Sequence, residues 1–163
     1  MFPTKLQLGK KITKEQLEKE GIYVSGWASD ILFKVKFGKK REVELVVKSV
    51  GELGFTGLTR YEDICKKIIE LGYELCPAEV GLALRLAYKD QPKYEWLWVA
   101  MEPIADADRG LRVFFVAHGG HGLFLDGDHG YPDTLDRPGS RFVCVMPRKF
   151  GTLGNSDSGN LDG

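Results

Sequence analysis

Apolar and polar positions follow different periods in different parts of the chain, and the period predicts the element. "ITKEQLEKEGIYV" reads as a short surface helix: Thr13 at the N-cap, Gln16 three residues on as in a capping box, and Gly21 at the left-handed C′ position. In "ILFKVKFGKKREVELVVKSV", Ile31, Phe33, Val35 and Phe37 share one face. Val43, Leu45 and Val47 share another beyond a Gly-Lys-Lys tip. Period-two alternation on both sides of a glycine turn predicts an N-terminal β-hairpin.

The middle of the chain has helical spacing. Tyr61, Ile64, Cys65, Ile68 and Ile69 form a stripe over residues 60–71, with Thr59 and Glu62 at capping-box distance and Gly72 as the stop. A second helix over 77–89 begins at Pro77 and is apolar nearly all round, so it should lie centrally, covered on several sides. Beyond it, "YEWLWVAMEPI", "LRVFFVAH", "HGLFLDGD" and "RFVCVMPRK" are strand candidates rich in aromatic and β-branched residues. Short links between them predict an antiparallel sheet over about 95–148. The expected fold class is α+β: one domain over 1–150 with the hairpin, two packed helices and that sheet, then a flexible Gly/Ser/Asn/Asp tail over 151–163.

Composition narrows the partners. Lysine plus arginine equals aspartate plus glutamate at 23 each, so no global field recruits nucleic acid or an acidic membrane. Residues 1–50 are mildly basic, with eleven basic against six acidic side chains, which reads as solvated surface. Cys65, Cys76 and Cys144 are odd in number and lack CxxC spacing, as expected of reduced thiols in a cytoplasmic protein. No secretory leader and no stretch long enough to span a bilayer is evident.

The richest chemistry lies in "AHGGHGLFLDGDHG", Ala117–Gly130. With Gly119 and Gly120 as a two-residue loop, His118 should face His121, Val116 Leu123 and Phe114 Leu125 on one side, and Phe115 Phe124 on the other. Two adjacent imidazoles could share a zinc ion if Asp128 and His129, or Asp126, Asp133 or Cys144, completed the shell. None of these stands at a recognised ligand spacing, and Asp126 alternates onto the opposite face. A plain hairpin tip explains the glycines, and no cofactor is expected; zinc stays an alternative.

Charges within apolar elements are the other candidates. Glu79 and Arg85 lie about 120° apart on the second helix, so each needs its own partner or a cleft. Glu102, within "VAMEPI", is expected to bridge Arg85 or to join the floor of a pocket between helix 77–89 and the sheet. Arg85, Tyr88, Asp90 and Gln91 would line its mouth. Glu79, Arg85, Glu102, His118 and His121 are the acid–base candidates there. No nucleophile elbow, phosphate loop or dinucleotide fingerprint is present. The apolar second helix also argues against DNA reading.

The block "ELGYELCPAEVGLALRLAYKDQPKYEWLWVAMEPI", Glu70–Ile104, resembles a set of small bacterial proteins to which no activity is attached. The resemblance implies a bacterial, cytoplasmic protein and carries over no catalytic residue. Strands 111–118 and 121–126 are apolar on both faces, whereas helices easily cover only one. That surplus makes a binding or accessory module, acting through an apolar sheet face on a protein partner or a second copy, the leading expectation. A small enzyme with the helix–sheet pocket and a metal-dependent hydrolase at the His118/His121 tip are the alternatives.

Overall fold

The computed structural model describes residues 1–147 and has an α+β architecture of four helices and ten strands among them. The tail expected over 151–163 lies outside the described residues. The large sheet runs β1 (Lys5–Leu8), β3 (Arg41–Ser49), β10 (Arg141–Val145), β5 (Trp96–Val99), β7 (Leu111–Gly119), β8 (Gly122–His129) and β2 (Tyr23–Val24). β6 (Ile104–Ala105) adds to β7, and β4 (Thr59–Arg60) pairs separately with β9 (Leu135–Asp136). The sheet is mixed, not antiparallel throughout: β10 lies parallel to β5, and β2 parallel to β8. The long connection after β8 lets the chain cross over before β10, which then fills the slot between β3 and β5.

The expected N-terminal hairpin does not form. Ser25 caps α2 (Gly26–Leu32), its hydroxyl accepting the Ala28 N–H at 3.0 Å. Ala28, Ile31 and Leu32 then bury one helical face, and Phe33 is 73% exposed where a strand would have buried it. The serine cap starts a helix that takes up Ile31 and Leu32, and residues 33–40 form no strand. β3 does alternate as expected, but it pairs with β1 and β10.

α1 (Lys14–Lys19) carries the Thr13/Gln16 capping box and ends at Gly21 with φ +80°. α3 (Tyr61–Glu70) ends before Gly72 (φ +95°), but its N-cap is Arg60 and has no side-chain cap. Thr59 belongs to β4 and its hydroxyl donates to the Gly57 carbonyl, so the Thr59–Glu62 capping box is absent. α4 (Glu79–Ala87) is buried along the whole run from Glu79 to Arg85.

One sheet face carries the core. Val24, Leu97, Val99, Phe114, Val116, Leu125 and Val143 are all buried there, under α4 and α2. The two helices approach through glycines: a Cβ at Gly81 of α4 would meet Phe114 Cβ at 2.9 Å, and one at Gly127 of β8 would meet the Trp27 backbone at 3.3 Å. In-register pairing puts Trp96, Trp98, Phe115, Phe124 and Tyr23 on the opposite face. α3 covers that face at β10, where the Tyr61 ring centroid lies 6.0 Å from that of Phe142.

The β7–β8 register differs from expectation by two residues. His118 pairs with Leu123 and Gly119 with Gly122, leaving Gly120–His121 as the loop. A shift of two keeps every side chain on its face, so alternation alone cannot separate the two registers. Gly119 is drawn into the strand beneath Phe124, 3.0 Å from the position its Cβ would take, and Gly122 supplies the positive φ of +119°. The two imidazoles are therefore not cross-strand partners.

Gly81→Ala tests the α4–β7 contact. The alanine preference for helix is worth about 1 kcal/mol, whereas overpacking a fixed core costs about 1–3 kcal/mol. The variant should therefore unfold at lower urea, with a net loss of about 1 kcal/mol. A gain in stability would mean that α4 stands further from Phe114 than described.

Candidate functional site

The most unusual group in the core is Arg85, fully buried and bonded to no carboxylate among the described residues. Its Nη1 donates to Gln91 Oε1 at 2.7 Å, to the Ala117 carbonyl at 3.0 Å and to the Phe124 carbonyl at 3.2 Å. Nη2 donates to the Tyr88 carbonyl at 2.6 Å, and Nε has no partner among the described residues. Burial lowers the guanidinium to about 10, still cationic at neutral pH. Its direct partners are carbonyl oxygens, including that of Tyr88 at the α4 C-terminus, and the nearby Glu95 carboxylate adds a favourable charge.

This network shapes the turn that follows α4. Gln91, 2% exposed, accepts from Arg85 and donates through Nε2 to the Val116 carbonyl at 3.2 Å. His118 Nδ1 lies 2.6 Å from the Gln91 carbonyl, which can only accept, so Nδ1 carries the proton. The Tyr94 N–H then donates to the His118 carbonyl at 2.6 Å. Tyr94 is pinned in left-handed backbone, φ 69°, a conformation that costs a bulky residue energy and here leaves its ring 66% exposed.

The turn delivers the chain onto the uncovered sheet face, where the aromatic rings form one connected set. Trp96 meets Phe124 edge-on at 5.6 Å, Phe115 meets Phe124 at 5.9 Å, and Trp98 stacks on Phe115 at 5.6 Å. Two shallow grooves flank Trp96. One, of about 400 Å³, has Tyr94, Trp98, Arg137 and Arg141 in its wall; the other, of about 350 Å³, has Tyr23, Phe124 and His121. Tyr23 is 67% exposed and Trp96 39%.

The carboxylates around the rings are engaged internally. Asp126 accepts from the Ser25 hydroxyl and the Gly127 N–H, and Asp128 accepts from Trp98 Nε1 at 2.8 Å and from the His129 N–H. Glu95 holds Arg141 at 3.0 Å. Asp136 is raised to about 6, first by burial and then by the nearby Asp128.

Of the residues expected around a helix–sheet pocket, Arg85, Tyr88, Gln91 and His118 share this buried network, whereas Glu79, Asp90, Glu102 and His121 lie outside it. Glu79 sits at the opposite end of α4 from the Arg85 network. There it accepts from the Gly9 and Gly38 N–H groups at 2.9 and 3.1 Å and pairs with Arg41 at 2.9 Å. Burial alone would raise its carboxyl, but these three donors together hold it below the ordinary range. Glu102 is exposed beside Tyr61 and Cys65, so the expected Glu102–Arg85 bridge is absent, because Arg85 faces β7 and β8. Tyr88 is buried, and Asp90 is exposed and paired with the Met1 amino group.

The residues considered for zinc are dispersed. His121 occupies the loop, His129 is exposed near Tyr131, and Asp133 is exposed. Cys144 is buried in β10, its thiol pushed up to about 12 by burial. No group of three or more His, Cys, Asp or Glu side chains suited to a metal occurs among the described residues. No helix there is long and apolar enough to cross a membrane. Sequence reasoning marked the two-sided apolar strands 111–118 and 121–126, but missed Tyr23, Tyr94, Trp96 and Trp98 as parts of the exposed aromatic set. Nothing in "PKYEW" signals a left-handed tyrosine. Comparison of the chain with protein-family models, with curated proteins and with solved structures finds no match.

Asp136 offers a pH test of the ground beneath the rings. An acid whose folded pKa exceeds its unfolded value weakens the fold as pH rises between the two, here from roughly 4 to about 6. Asp136→Asn should therefore stabilise the protein at pH 7.5 by about 1 kcal/mol once solvent screening is allowed for. It should change little at pH 4, as read by paired thermal melts. Equal effects at both pH values would contradict the assignment.

Proposed function

We propose that the chain is a binding module whose uncovered aromatic sheet face holds an extended, proline-containing segment of a partner protein. The observation that carries this reading is the chemistry left free on that face. Ring surfaces and donors remain available, whereas the neighbouring carboxylates are spent on Ser25, Trp98 and Arg141. A polyproline-type segment is the complementary ligand: its rings are apolar, it lacks N–H groups, and its carbonyls point outward seeking donors. The two grooves on either side of Trp96 suit successive turns of such a segment. A sugar would need free acceptors for its hydroxyls. A single-stranded nucleic acid would need a basic track that Glu95, Asp126 and Asp128 interrupt.

Spectra of the indole N–H groups test this. Titration with a decaproline peptide should shift the Trp96 Nε1–H resonance saturably, and Trp96→Ala should weaken binding by about tenfold or more. A Gly-Ser peptide of equal length should leave the spectrum unchanged. No shift, or equal shifts with both peptides, would refute the reading. So would a concentration-dependent dimer that Trp96→Ala dissociates, because the face would then belong to a second copy.

A further inference from the structure

A second concave surface lies on the far side of α4 and owes nothing to the aromatic face. We propose that it binds the aliphatic chain of a single monomeric carboxylate, a fatty-acid-type anion. The groove, about 590 Å³, runs beside the edge strand β1, between it, the residues leading into α1, and α4. That size falls in the range that holds one small molecule. Its floor is made by Leu6, Leu8, Ile12, Ala83, Leu86 and Ala87. Positions 83 and 87 are one helical turn apart on α4, and both are alanine, so the floor stays hollow where larger side chains would fill it.

Apart from the buried Glu79 and the neutral Gln7 and Gln16, the polar lining is cationic. Lys5, Lys10 and Lys40 are exposed around the groove, and none of the three makes an ion pair among the described residues. The one carboxylate in the lining is Glu79, whose charge is answered by Arg41 and the Gly9 and Gly38 N–H groups. It therefore repels an incoming anion weakly. An apolar trough with three unpaired ammonium groups at its mouth matches an alkyl tail carrying a negative head. A neutral or cationic head would lose the rim. An extended membrane surface would leave the trough unfilled.

Calorimetric titration of the full chain with octanoate, decanoate and dodecanoate, each below its micelle threshold, tests the proposal. Affinity should rise roughly threefold to fourfold with each added methylene until the trough is full. Decanol should bind at least tenfold more weakly than decanoate. Lys5→Glu combined with Lys40→Glu should cost tenfold or more. Ala87→Trp, at an exposed position, should block the trough and abolish binding without disturbing the core. Four outcomes would overturn the proposal: no binding by any chain length, equal binding of decanol and decanoate, binding unaltered by Ala87→Trp, or binding to anionic phosphatidylserine vesicles without binding to the monomeric carboxylates.

Discussion

Much of this molecule depends on a buried guanidinium that bonds to no acid among the described residues. Removing Arg85 from water is costly, and a single carboxylate partner would have been the usual offset. Instead its charge is spread over carbonyls from three elements: the end of its own helix, β7 and β8. The helix macrodipole helps, since Tyr88 caps the negative end of α4. Because those carbonyls belong to different strands and to the turn after α4, one side chain fixes the helix against the sheet and the turn against both. Tyr94 lies in that turn and Trp96 opens β5 just beyond it, so the surface chemistry is set from below.

α4 is anchored at its other end by the reverse arrangement. Glu79 lies in the first turn, where the dipole favours an anion, and gathers the end of β1, the 38–41 loop and β3 around it. Between the two charges, Gly81 lets the helix settle against Phe114. α4 is thus clamped by a cation at one end, an anion at the other, and close contact at the middle. Its two flanks then meet different surroundings. One flank packs on the sheet whose back carries the rings, and the other borders the trough beside β1.

The parts of this arrangement legible in the sequence are those set by local pattern. α3 and α4 were readable from their apolar stripes, and the glycine stops at Gly21 and Gly72 from their place just beyond the helical pattern. The two-sided apolarity of β7 and β8 foretold that a face would remain to be covered. What the pattern could not carry was pairing. The Ile31–Phe37 alternation reads as a strand, but Ser25 caps a helix that takes up Ile31 and Leu32, and residues 33–37 form no strand. β1 and β2 are too short to announce themselves. The β7–β8 register is silent in an alternation that repeats every two residues. Arg85 and Glu79 were recognisable as charges needing partners. Their partners, however, are mostly backbone groups distant in sequence, which no side-chain pattern encodes.

The most direct test is residue-resolved amide hydrogen exchange on Arg85→Lys, which keeps the charge but removes the planar fork that reaches several carbonyls at once. The account predicts that protection falls at Tyr94 and His118, where the turn joins β7, and is retained at Leu45 and Tyr73, far from the network. Unchanged protection at Tyr94 and His118, or a uniform loss across the whole protein, would contradict it.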